Sequence, residues 1–176
     1  FEASPFETKA ARFRSPCDAA GCNRPALARA ANRWQHLPSR LVWRDAVCME
    51  IASGADFSGA CFQGVDFTRA RLGRALLAEA DFRGASLREV DLSGALLYAA
   101  RLVGADLGQA DLGEADLSRA RCLGAYMAGV KARQASFTEA RLVRAVLDGA
   151  DLSRADLTGA DLSDARLEGA TLEEAR

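Results

Sequence analysis

From Ala55 to Ala175 every fifth residue is Ala or Val, without exception. Two residues after each stands a large apolar side chain: Phe57, Phe62, Phe67, Leu72, Leu77, Phe82, and then Leu nearly throughout. Residues 55–174 hold 24 such units with no insertion, as in ADLGQADLGEADLSRA at 105–120. A period of five matches neither a helix, with 3.6 residues per turn, nor a strand, which alternates in twos. One small and one large apolar residue, separated by a single polar one, must therefore share an interior. The other three residues of each unit point outward. Gly recurs at the fifth position (Gly59, Gly64, Gly84, Gly94, Gly104, Gly124), where it suits a tight turn. A turn every five residues closes a square in about 20 residues, and squares of that kind stack into a solenoid.

This pattern resembles the pentapeptide-repeat family. The resemblance covers 120 of the 176 residues. It implies an all-β fold, a right-handed quadrilateral β-helix with four units per coil. The small residue and the central Leu or Phe would then form stacked ladders inside it. On that reading residues 55–176 make about six coils, and at about 4.8 Å per stacked coil the rod is about 29 Å long. Cys122, Met127 and Ala132 break the Leu ladder on three successive faces. They read either as compensating drift, with Met127 filling space that Ala132 leaves, or as a local kink.

Residues 1–54 stand outside the repeat and form the second part of the chain. The stretch 24–37 predicts one short helix, with Asn23 as N-cap, Pro25 in the first turn, and Leu27, Ala30, Trp34 and Leu37 on one face. Pro38 ends it. A solenoid needs its open end covered, and this helix, with Trp34 and Trp43, is the expected N-terminal cap. The absence of an initiator Met reads as a fragment edge or a processed end. The repeat runs to Ala175 and Arg176 without a capping helix, so either the parent chain continues or a partner covers the last coil. The resemblance brings a homodimer through the C-terminal coil as one such partner.

Little in the chain points to catalysis. There is a single His, His36, and no nucleophile or phosphate-loop motif. Asp occupies ten of the 24 second positions. These side chains stand on convex faces and are expected to bond nearby turn backbone. The chain therefore reads as a non-enzyme that needs no cofactor. Cys17, Cys22, His36 and Cys48 are four potential zinc ligands, but their spacing fits no standard finger. Free or buried thiols with a solvated His, or a Cys17–Cys22 disulfide, are the alternatives. The 23 basic and 24 acidic groups nearly cancel, so bulk charge announces neither nucleic acid nor membrane. No run reaches the roughly 18–20 apolar residues of a membrane span. A cytoplasmic location is expected, with a secreted effector as the alternative.

Residues 20 apart should share a face. One face carries Asp56, Glu79, Asp116, Glu139 and Asp156 against Arg119 alone. The next carries Arg83, Arg101, Arg121, Arg141 and Arg144 against Asp81, Asp161 and Asp164, with Val103, Leu123 and Val143 beside the arginines. Leu76, Leu96 and Tyr98 occupy outward positions on the acidic face. Stacked like charges repel, so an arginine ladder beside aliphatic side chains reads as an interface for a protein partner. The other reading is surface drift, with Arg stems covering Val and Leu. The resemblance also implies a second function, since some members of the family mimic DNA and bind DNA gyrase. B-DNA carries a charge every ~1.7 Å, or about 17 over such a rod. The most acidic face here is far weaker, and the inserted loop of gyrase-binding members is absent. The expected function is thus a scaffold or interaction module, with gyrase binding as the alternative.

Overall fold

The computed structural model describes residues 53–176. The expected helix over 24–37, the cap with Trp34 and Trp43, and the Cys17, Cys22, His36 and Cys48 set lie outside the described residues.

The backbone repeats every 20 residues. Each second-position residue forms a parallel bridge with its equivalent one coil on, from Asp56↔Leu76 through Arg101↔Arg121 to Asp151↔Thr171. Four faces result, the first built from 55–59 and every 20 residues after, and the second, third and fourth from 60–64, 65–69 and 70–74 likewise. Among the described residues each face is a narrow ladder of single bridges, with no extended strand. A turn every fifth residue leaves too little extended chain for more.

Four of the five N–H groups in a unit have fixed backbone partners. Leu76 N–H donates back to Ala55 at 2.8 Å, while Phe57 and Gly59 donate forward to Leu76 and Ala78 at 2.7 and 2.8 Å. Ala60 closes the corner on the Phe57 carbonyl at 2.9 Å. That turn places its third residue at positive φ. Gly fits it without steric cost, yet Arg74 (57°), Glu79 (59°) and Ala99 (54°) adopt it as well. The sequence pattern of Gly thus marks only some of the corners. Stacking, not residue choice, dictates the conformation at the rest.

The first- and third-position side chains fill the interior, from Ala55 and Phe57 to Leu152 and Ala155. Phe62 stacks on Phe82 (centroids 5.1 Å apart, planes at 27°) and meets Phe57 and Phe67 edge-on at 5.6 and 5.0 Å. Cys122, Met127 and Ala132 are fully buried. Their coil stays in register, with Cys122, Met127 and Ala132 N–H donating to Arg141, Val146 and Asp151 at 2.8, 2.7 and 2.8 Å. The interruption is therefore drift without a kink. Burial pushes the Cys122 thiol up to about 12, so it stays neutral. In the last coil Leu157, Leu162 and Leu167 are only partly buried, and Leu172 is 46% exposed.

Candidate partner-binding face

The fourth N–H of each unit is the one that stacking leaves over. At all ten Asp second positions the carboxylate accepts it: Ser58 to Asp56 at 3.0 Å, Thr68 to Asp66 at 2.9 Å, Gly113 to Asp111 at 3.0 Å and Ser118 to Asp116 at 2.9 Å, for example. The expected turn-bonding role of these Asp residues is what the structure shows. It also fixes where that N–H points: outward, over the side chain two residues before it.

Arg101, Arg121 and Arg141 take the place of Asp on three consecutive rungs of the second face, joined by the bridges Asp81↔Arg101, Arg101↔Arg121, Arg121↔Arg141 and Arg141↔Asp161. An arginine cannot accept a hydrogen bond. Among the described residues the N–H groups of Val103, Leu123 and Val143 consequently have no protein acceptor. The three guanidinium groups are exposed and form no hydrogen bond or ion pair within the described chain. Leu123 is 46% exposed, and Val103 and Val143 are half-buried beside it.

The remaining arginines of this face are engaged. Arg83 grips Asp81 through Nε at 2.8 Å and Nη2 at 2.6 Å. Arg144 faces Asp164 at 3.6 Å. Burial would raise the Asp81 pKa, but hydrogen bonds from the Arg83 side chain and backbone, with the charges of Arg83 and Arg101, outweigh it and hold the carboxyl below its usual value. The five arginines grouped by sequence thus divide into three open ones and two held by acids.

Leu76 and Leu96 are adjacent rungs of the first face, 38% and 45% exposed. Tyr98 lies 39% exposed beside them. Arg119 donates to the Tyr98 hydroxyl at 3.1 Å, stands 5.9 Å from its ring centroid, and binds Glu139 at 2.8 Å. Tyr98 is thereby fixed by a residue one coil away. Tyr126 on the third face, 44% exposed, was not singled out by the sequence pattern. Its ring edge comes 3.1 Å from where a Cβ would stand at Gly108. The pairing of a bulky second position with a Gly one coil earlier is the signal that marks it. The uncapped N–H groups were also legible, as the absence of Asp.

A shallow depression of about 390 Å³ is open and lined by Glu89, Val90, Asp91, Gln109, Asp111 and Lys131. Among the described residues no group of three or more His, Cys, Asp or Glu is placed to hold a metal ion. No helix among the described residues is long and apolar enough to cross a membrane.

A family model described as Pentapeptide repeats (8 copies) matches residues 52–74, 66–102, 75–113, 95–134 and 135–173. Solved structures with similarity to the chain include HetL, a pentapeptide repeat protein involved in heterocyst differentiation regulation from the cyanobacterium Nostoc sp. strain PCC 7120. It is 28% identical over 70% of this chain and 81% of its own, with a TM-score of 0.34. Rfr23, a pentapeptide repeat protein from the cyanobacterium Cyanothece 51142, is 24% identical over 70% and 88%, with a TM-score of 0.31. QnrB1, a plasmid-mediated fluoroquinolone resistance protein, is 22% identical over 69% and 78%, with a TM-score of 0.28. No curated protein matches the chain.

Proposed function

The chain belongs to the pentapeptide-repeat family, and from that premise we propose that its solenoid is a non-catalytic interaction module that holds a protein partner on the second face. The observation that carries this reading is the run Arg101, Arg121, Arg141. Three consecutive rungs give up the Asp cap and form no ion pair, beside an aliphatic row. The Asp is missing at rungs of every face, as at Leu96, Tyr126 and Lys131, but only the second face replaces it with arginine on three consecutive rungs, and stacked like charges cost stability unless something offsets them. Leu76, Leu96 and Tyr98 extend the surface on the neighbouring face, and Arg144 lies at its rim. On this reading the repeat makes about six right-handed coils, and the module works in the cytoplasm.

The test is a photo-crosslinking residue placed at Arg121 and, separately, at Ser58 on another face. Adducts with a common protein from position 121, and none from position 58, are the expected result. No adduct from position 121 removes the reading. The gyrase-binding alternative has less support, because the arginine ladder opposes a DNA-like charge distribution. A supercoiling assay with and without quinolone separates the two, with no change expected on adding this protein.

A further inference from the structure

The unfilled rungs have a template in the same ladder. Asp81, one rung before Arg101, accepts the Arg83 N–H at 3.2 Å and also binds the guanidinium group of Arg83, two residues along the same unit. Asp161, one rung after Arg141, accepts the Ser163 N–H at 3.1 Å. In both, a carboxylate sits over the outward N–H of its own unit with an arginine on the adjoining rung. The three rungs between them keep the N–H and the arginine and lack only the carboxylate.

We propose that carboxylates of a partner protein occupy these three places, delivered by an acidic amphipathic helix lying along the solenoid axis. This rests on the interaction-module reading and specifies its partner. Each place offers a backbone N–H, at Val103, Leu123 or Val143, beside a guanidinium group, and charge-assisted bonds of this kind are the strong ones. The spacing selects the helix. The rungs repeat at about 4.8 Å, so the three span about 10 Å. Two helical turns advance about 11 Å and present acids at i, i+4 and i+7. An extended chain shows one side chain to a face every ~6.8 Å and overshoots to about 13.5 Å. An extended chain also gains nothing from strand pairing here, because coil stacking already uses the other N–H groups of the face. The row Val103, Leu123, Val143 then receives the apolar stripe of the helix. A nucleic-acid strand would answer the charges and leave that row uncovered.

The experiment uses the full chain and a fluorescent helical peptide about four turns long, with Glu at i, i+4, i+7 and i+11 and Leu one position round. The comparison probes are a shuffled peptide of identical composition broken by Pro, an oligothymidylate of equal charge, and phosphatidylserine-containing vesicles. Binding of the helical peptide at least about tenfold tighter than that of the other probes, with the amide resonances of Val103, Leu123 and Val143 shifting, is the expected result. The triple variant R101D/R121D/R141D refills the rungs from within. It should lose the peptide while it keeps the circular dichroism spectrum and the cooperative unfolding of the parent chain, which excludes misfolding as the cause. Equal binding of the shuffled peptide, tighter binding of the oligonucleotide or vesicles, or unmoved amides overturns the proposal. If no probe binds and position 121 still crosslinks to a protein, the acidic-helix assignment falls and the interaction module stands. If the crosslinks are also absent, both fall.

Discussion

At the scale of single residues, the second position decides how each unit is finished. Asp there satisfies the one N–H that coil stacking leaves over, as Asp116 does for Ser118 at 2.9 Å. A net hydrogen bond of this kind contributes about 1 kcal/mol. Asp116→Ala should lower stability by about that amount in denaturant titration, and Asp116→Asn, which keeps an acceptor oxygen, should change it by less than half as much. The same bonds set the response to acid. The Asp66 carboxyl is held below its usual value near 3.8 by the Thr68 hydroxyl and then its N–H, and Asp151 likewise by Ser153, with Arg133 adding to it. Asp156 and Asp161 follow through Thr158 and Ser163. A depressed carboxyl contributes stability that is complete above its unfolded pKa and disappears as pH falls through the folded one. The melting temperature should therefore be insensitive to these groups above about pH 5 and decline below about 3.8. Carboxyl pKa values measured by NMR at the usual unfolded value would contradict this.

At the scale of the coil, stability divides between the core ladders and the corners. On the third face Leu87, Leu107 and Met127 stack with no solvent contact. Leu107→Ala should cost about 3 kcal/mol, because the neighbouring coils are held by their own hydrogen bonds and cannot collapse onto the cavity. Met127→Leu keeps the volume and should cost less than about 1.5 kcal/mol. Urea unfolding of the two variants checks the contrast. A near-neutral Leu107→Ala would mean that the coils relax toward each other. The corners add ion pairs between successive coils, Arg69–Glu89, Arg119–Glu139 and Arg154–Glu174, each at 2.8 Å. These are exposed and screened by salt, so they align fifth positions more than they stabilise the rod.

At the scale of the whole molecule, the arithmetic of the repeat separates fold from function. Each coil touches only its neighbours, so a unit can be removed without disturbing distant contacts. Deleting residues 110–114 keeps every core position in register but turns all later residues a quarter of a coil. Arg121 and Arg141 then leave the face of Arg101. This variant should stay folded by circular dichroism and lose the crosslink from position 121. Deleting the 20 residues 65–84 should preserve both, because later residues return to their own faces. Retained crosslinking after the five-residue deletion would show that the face is not the recognition unit.

The sequence by itself determined the solenoid, the identity of the core residues, and which outward residues share a face. All three follow from the period of five and a bridge register of 20, and neither depends on side-chain conformation. It also marked Arg101, Arg121 and Arg141 as unusual, since they stand where Asp is the commonest choice. Only the tertiary structure decided that these three are open while Arg83 and Arg144 are held by Asp81 and Asp164. It likewise decided that Tyr98 is pinned by Arg119, that Tyr126 leans over Gly108, and that three backbone N–H groups stand uncapped beside the arginines. The physical reason is that periodicity fixes backbone position. Pairing depends on which side chains reach one another across stacked coils about 4.8 Å apart, and on which backbone donor the stacking leaves over.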